Sequence, residues 1–177
     1  MKRIFLIGYM GTGKTTLGKI ISKQMNLTFI DLDVYIENRF HKTINEIFKE
    51  KGESVFREIE KNALVEVSEF ENVIVATGGG TPCFFDNIDF MNKKGTTIYL
   101  KTDNEILFQR LRIASCNRPV IKGKNDEELK RFIAENINKR EPFYSQATVC
   151  FNADKLDNKN QIIDAGRKLI ELINSCY

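Results

Sequence analysis

The sequence predicts an α/β domain built around a parallel sheet, and three observations carry that prediction. Short apolar runs alternate with longer helical stretches throughout the 177 residues, as strand–helix–strand units require. The first apolar run leads directly into a glycine-rich loop and then a helical pattern. The length corresponds to about one domain, and no linker, repeat or low-complexity tract divides residues 1–177.

The elements follow in chain order. Arg3–Ile7 contains the unbroken apolar run Ile4-Phe5-Leu6-Ile7, the composition of a strand covered on both faces. Leu17, Ile20 and Ile21 mark the helix after the loop. Thr28–Ile30 is the second strand, followed by a helical run at Val34–Phe40 and an apolar stripe of Phe56, Ile59 and Ala63. Val73–Ala76, Thr96–Leu100 and Thr148–Phe151 complete a sheet of about five strands. Between the last two, Leu129, Phe132, Ile133 and Ile137 share one helical face. In the final helix Ile162, Ala165, Leu169, Ile170 and Ile173 do the same, with Asp157 or Asn158 as its cap.

Composition narrows the class further. Lys and Arg number 27 against 24 Asp and Glu, a net charge of +3. So small an excess gives no ground for a nucleic-acid or membrane partner. No apolar run approaches a membrane span, and the apolar start after Met1-Lys2-Arg3 breaks at Gly8 without a signal-peptide cleavage site. Cys83, Cys116, Cys150 and Cys176 show no Cys-x-x-Cys spacing, which fits buried or incidental thiols in a reducing cytosol. His41 belongs to no cluster.

The strongest motif is Gly8-Tyr9-Met10-Gly11-Thr12-Gly13-Lys14-Thr15, which fits the phosphate-binding pattern G-x-x-x-x-G-K-[ST] between a strand and a helix. Glycines let backbone N–H groups turn inward onto phosphate oxygens, and the helix N-terminus adds partial positive charge. Lys14 supplies a charge for the β- and γ-phosphates, and the Thr15 hydroxyl is placed to ligate Mg²⁺. A dinucleotide-binding fingerprint is a weak competitor. It requires glycine or alanine where Thr16 stands and has no use for Lys14.

Asp31 and Asp33 close the second strand, where period two predicts that they point to one side of the carboxyl edge. Two carboxylates there divide labour, one for hydrated Mg²⁺ and one to accept a proton from an attacking hydroxyl. An N-cap role accounts for Asp33 alone but not for both. Val73–Ala76 then runs into Thr77-Gly78-Gly79-Gly80, and three glycines imply close approach of backbone to a ligand. Arg57 taken alone reads as a surface arginine. Arg110–Lys124 holds Arg110, Arg112, Arg118, Lys122 and Lys124 with no acid, a segment that awaits an anionic ligand.

Taken in order, these motifs resemble the shikimate kinase family over essentially the whole chain. The resemblance rests on Gly8–Thr16, Phe29-Ile30-Asp31-Leu32-Asp33 with Ile36-Glu37, Phe56-Arg57-Glu58-Ile59-Glu60, Thr77-Gly78-Gly79-Gly80, Arg118-Pro119, and Arg140 before Tyr144. It implies a three-layer αβα P-loop kinase fold like that of nucleoside monophosphate kinases. The phosphate loop spans 8–16, the acceptor region about 31–61, and a mobile lid about 110–124.

The implied activity is ATP-dependent phosphorylation of the 3-hydroxyl of shikimate, with Mg²⁺, in the pathway to chorismate and the aromatic amino acids. By matching position, Gly11, Thr12, Gly13, Lys14, Thr15 and Thr16 bind ATP phosphates, and Thr15 with Asp31 organises Mg²⁺. Asp33 binds shikimate hydroxyls and serves as base, Arg57 and Arg140 hold the carboxylate, Gly79 approaches the ring, and Arg118 reaches the phosphates from the lid. Lys14, Asp33 and Arg118 form the expected catalytic set. A carboxylate calls for a guanidinium fork, which arginine provides and lysine does not.

Three local expectations accompany this resemblance. Glu58 stands where many relatives carry a second arginine, which softens the potential around Arg57; Pro142 starts, kinks or breaks the helix after Arg140; and Phe151–Asn158 lies near the adenine. Cys116 has no assigned role. The expected protein is a cytoplasmic monomer with small-molecule substrates only. A related gluconate or nucleoside monophosphate kinase is the alternative, and a non-catalytic nucleotide switch is disfavoured by the paired aspartates.

Overall fold

The computed structural model describes residues 2–114, 121 and 123–177. Arg118 and Cys116, singled out above, lie outside the described residues, as does Lys122. The elements are β1 (Arg3–Ile7), α1 (Lys14–Met25), β2 (Thr28–Asp31), α2 (Leu32–Phe40), α3 (Ile44–Val67) and β3 (Val73–Ala76). A 3-10 turn at Thr81–Cys83 leads to α4 (Asn87–Lys94), β4 (Thr96–Lys101), α5 (Asn104–Ala114), α6 (Asp126–Tyr144), β5 (Val149–Asn152) and α7 (Lys159–Ser175).

The five strands form one parallel sheet in the order β2-β3-β1-β4-β5. Alternation along β1 builds a layer on each face. Ile4 and Leu6 join Leu17 and Ile21 of α1 and Leu169 and Ile173 of α7. Phe5 and Ile7 join Leu32 and Ile36 of α2, Leu64 of α3 and Ile133 of α6. Every residue of Val73–Ala76 is buried, as a strand covered on both faces requires. The chain leaves β1 toward β3 and β2 on one side and toward β4 and β5 on the other. The carboxyl end of β1 is therefore the switch point where ligands bind in such sheets.

Helix starts follow side-chain chemistry. Thr43 with Glu46, and Asn125 with Glu128, form reciprocal capping boxes at α3 and α6. Of the two candidates for α7, Asn158 is the cap, accepting from the Gln161 N–H at 3.0 Å. β5 begins one residue later than the sequence predicts, because the Thr148 N–H donates to the Thr97 hydroxyl at 2.8 Å instead of to the ladder.

Several expectations change. β2 ends at Asp31, so Asp33 lies in the first turn of α2 and not on a strand; the cap of α2 is Asp31. Arg110–Ala114 is the last part of α5. Pro142 neither starts nor breaks its helix, since α6 begins at Asp126 and continues through the proline to Tyr144. Among the described residues Cys83, Cys150 and Cys176 are free thiols, with Cys150 and Cys176 exposed, within the expectation of buried or incidental thiols.

Candidate active site

A cavity of about 380 Å³ opens at the carboxyl ends of β1, β2 and β3, lined by Lys14, Thr15, Asp31, Asp33, Thr77 and Gly79 among others. The loop after β1 reaches it through a left-handed residue. Gly13 has φ of 92°, a conformation that costs glycine little, and it caps α1 so that Lys14 is the first helical residue. The Thr12 hydroxyl donates to the Tyr9 carbonyl at 2.9 Å. Lys14 Nζ donates to the Gly8 and Tyr9 carbonyls, both at 2.8 Å. The first turn of α1 contains no acid of its own, and its partial positive charge faces the cavity. An anion of phosphate size fits this cradle.

Asp31 joins the loop to the opposite wall. Its Oδ2 accepts the Thr15 hydroxyl at 2.8 Å, while Oδ1 faces the Val34 N–H at 3.5 Å as cap of α2. Asp33 shares the cavity because the chain turns from strand to helix between the two residues, not because of strand alternation. Burial, reinforced by the negative charges of Asp31 and Glu60 and opposed by Lys14, pushes the Asp33 carboxyl up to about 6. A carboxylate of that basicity is suited to take a proton near neutral pH.

The three glycines after β3 are required by space. None has positive φ. A Cβ on Gly78 would stand 3.0 Å from Asp33 Oδ1 and 3.0 Å from Glu60 Oε1; one on Gly79 would stand 3.3 Å from Arg140 Nη1. On Gly80 it would meet Arg57 Nη2 at 2.9 Å. Each glycine accommodates a different charged side chain. The sequence suggested close approach of backbone to ligand; here the backbone closely approaches the side chains that surround the cavity.

Arg57 is therefore not a surface arginine. Its side chain is 12% exposed and its Nη1 donates to Glu60 Oε2 at 2.8 Å, with Glu60 itself 1% exposed. Glu60 Oε1 accepts the Thr81 hydroxyl at 2.6 Å. Glu53 faces Arg57 Nη2 at 3.2 Å. The acids paired with Arg57 are thus Glu53 and Glu60; Glu58 is exposed. Arg140 packs over the Tyr9 ring at 5.3 Å, and the Tyr144 hydroxyl donates to the Gly79 carbonyl at 2.5 Å. The two arginines consequently meet neighbouring residues of one loop, although neither lines the cavity beside the phosphate loop.

The basic segment differs from its sequence reading. Arg110 donates to the Ala153 and Asp154 carbonyls at 3.1 and 2.6 Å, and faces Asp157 at 3.5 Å. Arg112 faces Asp126 at 3.5 Å. Their countercharges come from distant sequence, so these two do not await a ligand for neutralisation. Arg110 also approaches the Gly11 carbonyl at 3.4 Å, and Leu156 occupies the space a Cβ on Gly13 would need. The stretch Phe151–Asn158 therefore packs against the phosphate loop.

Two contributors had no individual role in the sequence. Glu60 carried a legible signal, a carboxylate three residues after Arg57 beside an apolar stripe. Tyr144 had none, because its partner lies 65 residues away; the partners of Arg110, expected only as one cation of the basic segment, were hidden for the same reason, 43 and 44 residues on.

Comparison with known proteins places the chain in a family. The family described as shikimate kinase matches residues 10–171. A shikimate kinase of Bacteroides fragilis is 55% identical over 174 residues, 98% of this chain and 97% of that protein. The crystal structure of shikimate kinase from Bacteroides thetaiotaomicron superposes with a TM-score of 0.95 at 55% identity, covering 98% of each chain. That of Acinetobacter baumannii shikimate kinase in complex with shikimate gives 0.84 at 32% identity, covering 99% of this chain and 94% of the other. With this identity and coverage, and the P-loop kinase fold shared as well, the chain belongs to the shikimate kinase family.

Proposed function

We propose that the chain transfers the γ-phosphate of ATP to the 3-hydroxyl of shikimate, giving shikimate 3-phosphate on the route to chorismate and the aromatic amino acids. The observation that carries this reading is the glycine run. It holds Asp33, Arg140 and Arg57 on successive residues next to the phosphate loop, which provides for hydroxyls and a carboxylate on one small acceptor.

Each residue then has a task. The backbone of Gly11–Thr16 and the Lys14 ammonium hold the ATP phosphates. Arg57 and Arg140 hold the acceptor's carboxylate with planar forks, and Gly79 leaves room for its ring. Asp33 orients the 3-hydroxyl and accepts its proton as the oxygen bonds to the γ-phosphorus and ADP departs. Arg118 is assigned to the phosphates, and Phe151–Asn158 with Arg110 to the adenine side. The Thr15 hydroxyl and Asp31 carboxylate, hard oxygens 2.8 Å apart at the cavity wall, fit Mg²⁺, which needs few protein ligands beside water and phosphate. When bound, Mg²⁺ would neutralise charge developing on the phosphate oxygens.

Among the described residues no helix is long and apolar enough to cross a membrane. With a net charge of only +3, the proposal is a cytoplasmic monomer acting on small molecules, without nucleic-acid or membrane partners. A coupled assay of ADP release with shikimate, gluconate, AMP or no acceptor tests the assignment. Release should depend on shikimate; dependence on gluconate or AMP instead would overturn it.

A further inference from the structure

Arg57 lies among three aromatic rings, and one of them belongs to a turn with an unusual backbone. Its Cζ is 5.6 Å from the Phe48 ring centroid, 5.2 Å from Phe56 and 4.0 Å from Phe84. Phe48 and Phe56 stand on either side of a kink in α3 at the non-helical Gly52, with their ring centroids 4.2 Å apart. Phe84 comes from the turn after β3 and makes the shortest of the three contacts. Hydrogen bonds leave the guanidinium underdetermined. Glu60 fixes Nη1, the exposed Glu53 faces Nη2 at 3.2 Å, and the buried Nε has no hydrogen-bond partner among the described residues. Nη2, Nη1 and Cζ would stand 2.9, 3.0 and 3.2 Å from a Cβ on Gly80, so the group is packed closely against that residue.

The turn is built to keep Phe84 there. Phe85 has φ of 52°, in the left-handed region that a bulky side chain avoids, and it is 50% exposed. Such a conformation persists where the surroundings overdetermine it. Here Lys61 of α3 lies over the Phe85 ring at 4.8 Å and pairs with Asp86 at 3.1 Å. At the other end, Asn87 Nδ2 donates to the Thr81 carbonyl at 2.9 Å, and Thr81 donates to Glu60. Both ends of the turn are thus tied to the helix that carries Arg57. With Phe85 turned out, Phe84 is directed onto the guanidinium.

We propose that Phe84 is a positioning residue, held by the strained turn at Phe85, whose ring sets the plane of the Arg57 guanidinium for a planar carboxylate. This rests on reading Arg57 as part of the clamp for the acceptor's carboxylate. Phe84 does not act on the reacting atoms. It keeps the fork oriented before substrate arrives, so less ordering is left to be done on binding.

The test is a double-mutant cycle read in kcat/KM for shikimate. Phe84→Leu keeps apolar bulk but removes the ring face, and should lower kcat/KM for shikimate by about threefold to tenfold through KM, the scale of a partly desolvated cation–π contact. The ATP KM and the urea unfolding midpoint should stay near parental values, and Phe84→Tyr should restore the shikimate KM. In an Arg57→Ala background Phe84→Leu should add nothing further. If Phe84→Leu folds poorly, Phe84→Met carries the same expectation. An unchanged shikimate KM, an equal loss in both backgrounds, or a parallel rise in the ATP KM would each overturn the role of Phe84. If Arg57→Ala alone leaves shikimate kcat/KM unchanged, the clamp reading itself fails, a separate and distinguishable result.

Discussion

Asp33→Asn should make the protein more stable at neutral pH while removing its activity. The carboxamide keeps size and hydrogen-bonding capacity but neither ionises nor accepts a proton. In the folded protein burial and the neighbouring Asp31 and Glu60 charges raise the Asp33 carboxyl from 3.8 to about 6. A raised carboxylate pKa means that the folded state binds the proton more tightly than the unfolded chain. Its stabilising contribution is complete at low pH and is lost as pH rises through about 6. At roughly 1.36 kcal/mol per pKa unit, the ionised group costs about 3 kcal/mol well above that pH. Urea unfolding without nucleotide, for parent and variant, should show the variant's advantage growing by roughly 2 to 3 kcal/mol between about pH 4 and about pH 8. Turnover of the variant should fall by about 10²–10⁴-fold, the worth of a positioned base. A stability difference that does not change with pH, or a parent more stable at about pH 8 than the variant, would refute the reasoning.

Lys14→Ala should leave the unfolding midpoint almost unchanged and reduce turnover by about 10²-fold or more, since it removes a preorganised charge; steady-state kinetics with denaturation controls will decide. Asp31→Asn should shift the Mg²⁺ concentration needed for half-maximal rate upward, measured by Mg²⁺ titration at saturating ATP, whereas Asp33→Asn should not. Arg57→Lys retains charge but loses the fork, so the KM for shikimate should rise by about tenfold with the KM for ATP unchanged.

Much of the fold was legible because a parallel strand buried on both faces leaves an unambiguous mark. Val73–Ala76 and Arg3–Ile7 were readable to the residue. The phosphate loop was legible for a similar reason, since glycine, lysine and threonine each do one local job over a few consecutive positions. What escaped were relations between distant residues. Asp33 was placed on a strand because period two continues smoothly past Asp31; the sequence does not show that Asp31 spends one oxygen capping α2. The requirement for Gly80 was hidden because the guanidinium that presses on it comes from Arg57 on α3. The absence of acids within 110–124 was a true local statement, but for Arg110 and Arg112 it did not mean a missing countercharge, since Asp157 and Asp126 face them from outside the segment.

The γ-phosphoryl group is expected to pass to the 3-hydroxyl of shikimate within the crevice between Lys14 and Asp33. Phosphorus–proton correlated NMR of the reaction mixture addresses it directly. A single new phosphate monoester resonance coupled to the ring proton at carbon 3 should form in step with ADP. Phosphate on another hydroxyl, or ADP accompanied only by inorganic phosphate, would contradict it.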